Sequence, residues 1–262
     1  GLGTNTCVQD GFNLAWKLAY VVKGYAGEGL LQTYTEERAP VGAQIVARAN
    51  QSRVEYAPLN QCFRDPGAAD PVAAGLAKLA EPGAEGVARR TALADALQLK
   101  NYEFNAQGVE LNQRCTSSAV LPDPGAGEET FQRDPQLYLQ ATTRPGAKIP
   151  HAWLVGSDGR RISTLDVVGK GQFSLVTGVA GTAWVEAAQA LNRPYLRTVV
   201  IGAPGAQDAY YSWHRQREID EAGALLVRPD GVIAWRQPCA ADNAAQAQSQ
   251  LQAALAALLD QA

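Results

Sequence analysis

The sequence has 262 residues but no methionine, only two histidines, and four cysteines that stand far apart. Cys7, Cys62, Cys115 and Cys239 form no C-x-x-C pair, so dithiol exchange and zinc binding both lack their ligands, and a reduced, cytoplasmic protein is expected. No apolar run reaches the roughly 20 residues that span a bilayer, and the first residues offer neither a basic region nor a cleavable apolar core, so membrane insertion and secretion are not expected. Positive charge is not in excess: 23 Lys and Arg face 26 Asp and Glu, giving a net charge of -3. A chain without a basic field has nothing to attract a phosphate backbone, and nucleic acid is not an expected partner. Also missing is a G-x-G-x-x-G between strand and helix. Gly169-Lys170-Gly171 lacks the earlier glycine and the following Ser or Thr of a phosphate loop, so it reads as a turn. Any dinucleotide fold must lie elsewhere.

What is present is an ordinary globular composition, 46% hydrophobic and 19% charged, in a chain long enough to bury a substantial core. Thr6-Cys7-Val8-Gln9 has the form of a capping box and predicts a helix running to about Gly24. Its apolar face is expected to hold Val8, Phe12, Ala15, Ala19 and Val22, with Asp10, Asn13 and Lys17 as a narrow polar stripe. A second helix is predicted from Leu30 to about Ala57, with Pro40 as a kink or restart. Further helices are expected over 72–80 and 85–100, and the alternation over 109–115 predicts a half-buried strand. Residues 122–150 contain five prolines and several glycines and read as a linker. Beyond it, strands at 152–155, 163–165, 173–177, 196–201, 224–228 and 232–236 alternate with helices at 182–191, 208–221 and 243–261. Pro229-Asp230-Gly231 predicts a hairpin turn between the last two strands. The expected fold class is α/β: a mostly helical unit over 1–121, the linker, and a thioredoxin-like α/β sandwich without C-x-x-C over 151–262.

Chemical content is concentrated between Gly1 and Leu18. A glycine-containing loop entering a capped helix offers unpaired backbone N–H groups and the positive end of the helix dipole, about half an elementary charge, to an electron-rich guest. Many helices begin this way without a ligand, so the identities of the residues must decide. Gly1-Leu2-Gly3-Thr4-Asn5-Thr6, then Gln9-Asp10-Gly11-Phe12-Asn13-Leu14-Ala15-Trp16-Lys17-Leu18, then Leu30-Leu31-Gln32-Thr33-Tyr34-Thr35-Glu36-Glu37-Arg38-Ala39-Pro40, resemble in order and spacing the third flavin motif of aromatic-ring hydroxylases of the para-hydroxybenzoate hydroxylase class. The stretch from Asn101 to Arg114, then Thr116 to Val120, Arg144 to Leu154 and Leu226 to Arg236, resemble the phenol and chlorophenol hydroxylase branch of that class. Gly11 departs from the alanine typical of relatives, and Cys115 from a common aromatic residue; neither position is expected to bind flavin.

The resemblance implies FAD as cofactor, NAD(P)H as reductant, and a phenol hydroxylated by oxygen ortho to its hydroxyl. It implies that the backbone amides of Thr4 and Asn5 meet the pyrimidine carbonyl of the isoalloxazine, with Gly1, Leu2 and Gly3 shaping the turn against the ring. It further implies a missing N-terminal FAD-binding portion carrying the substrate and deprotonating residues, so no catalytic residue is assigned here. An opening that runs straight into a helix fits a chain cut from a longer protein, one inactive by itself. His151 and His214 are expected to be structural or exposed, and the cysteines inert. Tyr210-Tyr211-Ser212-Trp213 suits either a core or the subunit interface of a homo-oligomer. A second reading also stands: a non-enzymatic module acting through its thioredoxin-like domain.

Overall fold

A computed structural model of the protein describes residues 2–261. Helix α1 (Leu2–Val22) leads through a single 3-10 turn to α2 (Gln32–Val54), which carries Pro40 within it. An excursion of three helices follows: α3 (Tyr56–Cys62), α4 (Pro71–Ala80) and α5 (Ala84–Leu99). The start of α4 is set by Asp70, whose carboxylate accepts from the amides of Val72 and Ala73 at 3.1 and 3.0 Å, and by Pro71 in the first helical position. Two short helices, α6 (Asn101–Phe104) and α7 (Gln107–Leu111), close the region.

No strand forms over 109–115. Val109 packs instead against Val41 and Ile45 of α2, and the backbone makes isolated bonds rather than a ladder: Val109 N–H to Gln136 C=O at 3.1 Å and Cys115 N–H to Gly146 C=O at 2.8 Å. Gly146 has φ +91°, and a Cβ there would sit 2.4 Å from the Cys115 carbonyl oxygen, so this crossing requires glycine.

The remaining elements are β1 (Trp153–Val155), β2 (Arg161–Ser163), α8 (Thr164–Val167), β3 (Phe173–Gly178), α9 (Thr182–Leu191), β4 (Leu196–Ile201), β5 (Gln207–Asp208), α10 (Ser212–Gln216), β6 (Ala224–Val227), β7 (Ile233–Gln237) and α11 (Ala244–Leu258). The larger sheet has the order β4-β3-β6-β7; β3 and β4 are parallel, with Phe173 opposite Leu196, and β6 is antiparallel to both its neighbours. The smaller, antiparallel sheet has the order β2-β1-β5. The turn between β6 and β7 has Gly231 at φ +82°.

Two expected boundaries move for local reasons. Ser163 ends β2 because its hydroxyl accepts from Leu165 N–H while Asp166 accepts from Ser163 N–H, a capping box that starts α8. The helix expected over 208–221 shrinks to α10 because Gln207 and Asp208 pair with β1, and the Asp208 carboxylate then accepts from the amides of Ser212 and His214.

Alternation along the buried strands feeds two cores. Phe173, Leu175 and Leu226 face α9, α11 and α1, whereas Val176, Leu225 and Val227 face β1 and Trp213. Residues 122–150 do not hang free between separate units. Leu121 N–H donates to Ala234 C=O, Gly146 N–H to Ile233 C=O and Ile149 N–H to Gly231 C=O, which ties both ends of the stretch to the hairpin of β6 and β7.

Helix α1 turns a different face to the core than its hydrophobicity suggests. Asn13, Trp16, Lys17 and Tyr20 are buried, while Val8, Phe12 and Val22 are 68%, 56% and 84% exposed. The aromatic rings decide the orientation: Trp16 and Tyr20 meet Phe173 edge-on at 5.9 and 5.8 Å, and the Tyr20 hydroxyl donates to Gly171 C=O at 3.1 Å. Asn13 and Lys17 can follow them inward only because partners await both.

Candidate functional site

The helix starts five residues earlier than the capping box suggested. Thr6 therefore lies inside α1 rather than at its cap, and among the described residues the first-turn amides that by helix geometry lack intrahelical acceptors are those of residues 2–4, the amide of Asn5 closing the first turn. Gly3, Thr4 and Asn5 are exposed, no acidic side chain stands in the first turn, and nothing lies within 4 Å of where a Cβ on Gly3 would be. Such a turn is an open set of donors at the positive end of a 21-residue helix. Gly1, the remaining expected contact, lies outside the described residues, and of Leu2 only the helical backbone is described.

About two to three turns further along, α1 enters a dry cluster of charges. Glu37 of α2 is at its centre: its Oε1 accepts from Arg228 Nη1 and Ser117 Oγ, both at 2.6 Å, and its Oε2 accepts from Arg228 Nη2 at 2.9 Å, Lys17 Nζ at 3.0 Å and Asn13 Nδ2 at 2.8 Å. Arg228 also donates through Nε and Nη2 to Asp230 at 3.0 and 2.5 Å, and Asn13 Nδ2 reaches Asp230 Oδ2 at 3.1 Å. The side chains of Lys17, Glu37 and Arg228 are fully buried. The guanidinium lies 5.2 Å from the centroid of the Trp16 ring, adding a cation–π contact.

Burial by itself would push the Glu37 and Asp230 carboxyls up, but Arg228, and for Glu37 also Lys17, outweigh it and hold both below their ordinary values. Burial lowers the Lys17 ammonium, with Glu37 partly offsetting it. Two cations face two anions, so the cluster is neutral as a whole.

Beside it, a cleft of about 160 Å³ opens between α1 and the hairpin, walled by Val8, Phe12, Val232 and Cys115. Burial pushes the Cys115 thiol up to about 12. Cys7 and Cys239 are exposed and Cys62 is buried. Under a thiol reagent at pH 8, Cys7 and Cys239 are expected to react in the folded protein and Cys62 and Cys115 only after denaturation; labelling of all four at one rate would contradict the packing. His151 shares a 2.7 Å hydrogen bond with Ser163 beside Trp153, and His214 is exposed, so neither is built into a reactive group. Among the described residues no set of three or more His, Cys, Asp and Glu is placed to hold a metal, and no helix is long and apolar enough to cross a membrane.

Residues 1–49 match the profile of an FAD binding domain, and residues 142–262 that of "Aromatic-ring hydroxylase, C-terminal". Residues 142–262 belong to the aromatic-ring hydroxylase family. The chain is 49% identical over 243 residues to the 2,4-dichlorophenol 6-monooxygenase of Cupriavidus pinatubonensis, covering 90% of this chain and 40% of the relative. It is 47% identical over 242 residues to the phenol 2-monooxygenase of a Pseudomonas species, again 90% and 40%. A crystal structure of the flavin-dependent monooxygenase PieE in complex with FAD and substrate superposes with a TM-score of 0.90 at 43% identity, over 100% of this chain and 45% of that one. The chain thus spans about 40% of the length of the curated relatives it matches.

Sequence reasoning singled out residues 1–5 but read them as a loop before the helix, and it missed the cluster behind them. Two signals were available. Asn13 and Lys17 stand one turn apart on a helix that is apolar around them, and Arg228 closes a wholly apolar strand directly before the Pro-Asp-Gly turn. A charge in such a setting is buried with a partner or it is a misfit.

Proposed function

We propose that this chain is the C-terminal portion of an FAD-dependent monooxygenase that hydroxylates phenols at the ortho position with NAD(P)H and O2, and that it is inactive without the upstream portion. The observation that carries the reading is the exposed, acid-free first turn of α1, at the head of the stretch matching an FAD binding domain. The expected contacts are the amides of Thr4 and Asn5. With α1 starting at Leu2, the free amide of Thr4 suits an electron-rich carbonyl of the isoalloxazine, with Gly1, Leu2 and Gly3 shaping the turn and Asn5 beside it; a fixed helix N-terminus stabilises negative charge there without reorganising during the reaction. Bound flavin supplies the redox and oxygen-transfer chemistry. The chain's own residues orient it, and the groups that hold and deprotonate the phenol are assigned upstream.

The exposed apolar side of α1 fits the same picture, because Val8, Phe12 and Val22 present a surface that a further portion of the protein would cover. Phe12→Asp is expected to leave the melting temperature of this chain within a few degrees of the parent while weakening FAD retention in the joined protein; equal losses in both would contradict it. We read residues 1–121 as the end of the FAD and substrate domain, 122–150 as the connection and 151–262 as thioredoxin-like. That last reading is supported by the parallel β3-α9-β4 unit followed by an antiparallel hairpin and a closing helix. With Val179-Ala180-Gly181 between β3 and α9, and no cysteine pair, the work of this part is packing and support. Exposed Tyr210 and Tyr211 suit the contact of a homo-oligomer, and the free thiols suit the cytoplasm.

The test joins the chain to the upstream portion of its protein. The product is expected to be yellow and to consume NAD(P)H when given a phenol; a colourless product with no phenol-dependent oxidation would overturn the proposal. The chain alone is expected to bind no FAD in a fluorescence titration, since two or three amides cannot hold a dinucleotide without its pyrophosphate and adenine sites.

A further inference from the structure

We infer that Glu37, Arg228, Lys17 and Asp230 are positioning residues: their buried cluster fixes where the first turn of α1 stands against the C-terminal sheet, and through it how the free amides of that turn meet the flavin. The consequence for flavin rests on the function proposed above; the placement of the helix does not.

The cluster is assembled from parts of the chain that only folding brings together. Asn13 and Asp230 are 217 residues apart, and Glu37 and Arg228 are 191. Four elements meet in it: α1 through Asn13 and Lys17, α2 through Glu37, the 115–121 segment through Ser117 and Ala119, and the hairpin through Arg228 and Asp230. A helix is close to a rigid rod rising about 1.5 Å per residue, so clamping Asn13 and Lys17 fixes a turn roughly 12 Å away at Asn5. The Tyr20 hydroxyl, on the same face, extends the clamp.

Stability alone does not call for such an arrangement. Removing charges from water costs much of what their attraction returns, and well-packed apolar replacements of buried ion clusters are often as stable or more so. Direction is what the charges add. A bidentate guanidinium between two carboxylates, with an ammonium and an amide completing the acceptors, admits one relative placement of helix and hairpin, whereas apolar side chains would let the helix slide or rotate.

The experiment separates these roles with the combined variant Lys17→Met, Glu37→Leu, Arg228→Met and Asp230→Leu. In this chain its melting temperature is expected to stay at or above the parent's, while amide hydrogen exchange over residues 3–12 speeds up at least 10-fold. In the protein joined to its upstream portion the same variant is expected to raise the FAD dissociation constant at least 10-fold and to shift the visible flavin band. The control Leu251→Ala, in the core beneath α11, is expected to lower the melting temperature while leaving the flavin spectrum in place. Should the combined variant not fold, Arg228→Lys and Glu37→Gln are compared at matched stability for the same exchange and spectral changes. Unchanged exchange over 3–12 in a folded variant overturns the positioning role. Faster exchange in a joined protein that binds no FAD even as wild type leaves the role standing and overturns the flavin reading instead.

Discussion

Arg228→Ala is expected to cost the fold about 3–5 kcal/mol, because it leaves Glu37 and Asp230 buried with most of their compensation gone. Arg228 makes both of its carboxylate contacts with no exposed surface, so water cannot take over. Against a typical total stability of roughly 5–15 kcal/mol, a loss of this size removes between about a fifth and the whole of it, and urea denaturation at pH 7 measures it. A midpoint within error of the parent would show that the cluster is not closed in solution. The pH dependence has a definite sign. Glu37 and Asp230 titrate below their ordinary values of 4.5 and 3.8 in the folded protein, so their contribution is complete above about pH 4.5 and is lost as pH falls below that range. Lys17 gives the same sign at higher pH: its lowered pKa is a cost of burying the charged ammonium, relieved only as pH rises toward 10.5. Acidification from pH 7 to 4 should therefore destabilise the parent more steeply than a Glu37→Gln variant, whose amide has no proton to gain.

Trp184→Ala is expected to be comparably damaging, about 3–5 kcal/mol, for a different reason. The indole is 1% exposed, donates from Nε1 to Ala222 C=O at 3.0 Å and meets Trp235 edge-on at 5.5 Å. Its removal opens a cavity among α9, α11 and the sheet and leaves the half-buried Ala222 carbonyl without its donor. Unlike the Arg228 loss, this one should be nearly independent of pH between 4 and 7, since no titrating group is uncovered. Parallel denaturation series at the two pH values distinguish the mechanisms, and a Trp184→Ala loss that followed pH as Arg228→Ala does would contradict the separation.

Much of the architecture could be read from residue patterns. The strand over 196–201, the helix over 182–191 and the Pro-Asp-Gly hairpin stand where alternation, helical period and turn chemistry placed them. The errors came where a local signal met a stronger partner. Val109 to Cys115 alternates as a strand does, but its backbone finds scattered acceptors and no ladder. Thr6 and Gln9 have capping-box spacing, but the helix runs past them to Leu2. On α1, apolar Val8 and Phe12 outnumber the polar stripe, yet the large rings of Trp16 and Tyr20 turned the helix and took Asn13 and Lys17 with them. A hydrophobic period ranks faces by composition; it cannot see that Glu37 and Asp230, distant in sequence, make the polar face the one that can be buried. For the same reason the cluster that clamps α1 was not legible.

The most direct test of the flavin reading is a single-atom-group exchange, Asn5→Asp, in the exposed first turn. A carboxylate at a helix N-terminus stabilises the helix by about 0.3–1 kcal/mol, so failure to fold is not a competing explanation. In the chain alone the melting temperature is expected to rise slightly. In the protein joined to its upstream portion, the new negative charge beside the isoalloxazine is expected to make the flavin reduction potential more negative by roughly 30 mV or more, about 1.4 kcal/mol for a two-electron couple. A stabilised helix with an unmoved flavin potential would place the first turn of α1 away from the cofactor and contradict the account.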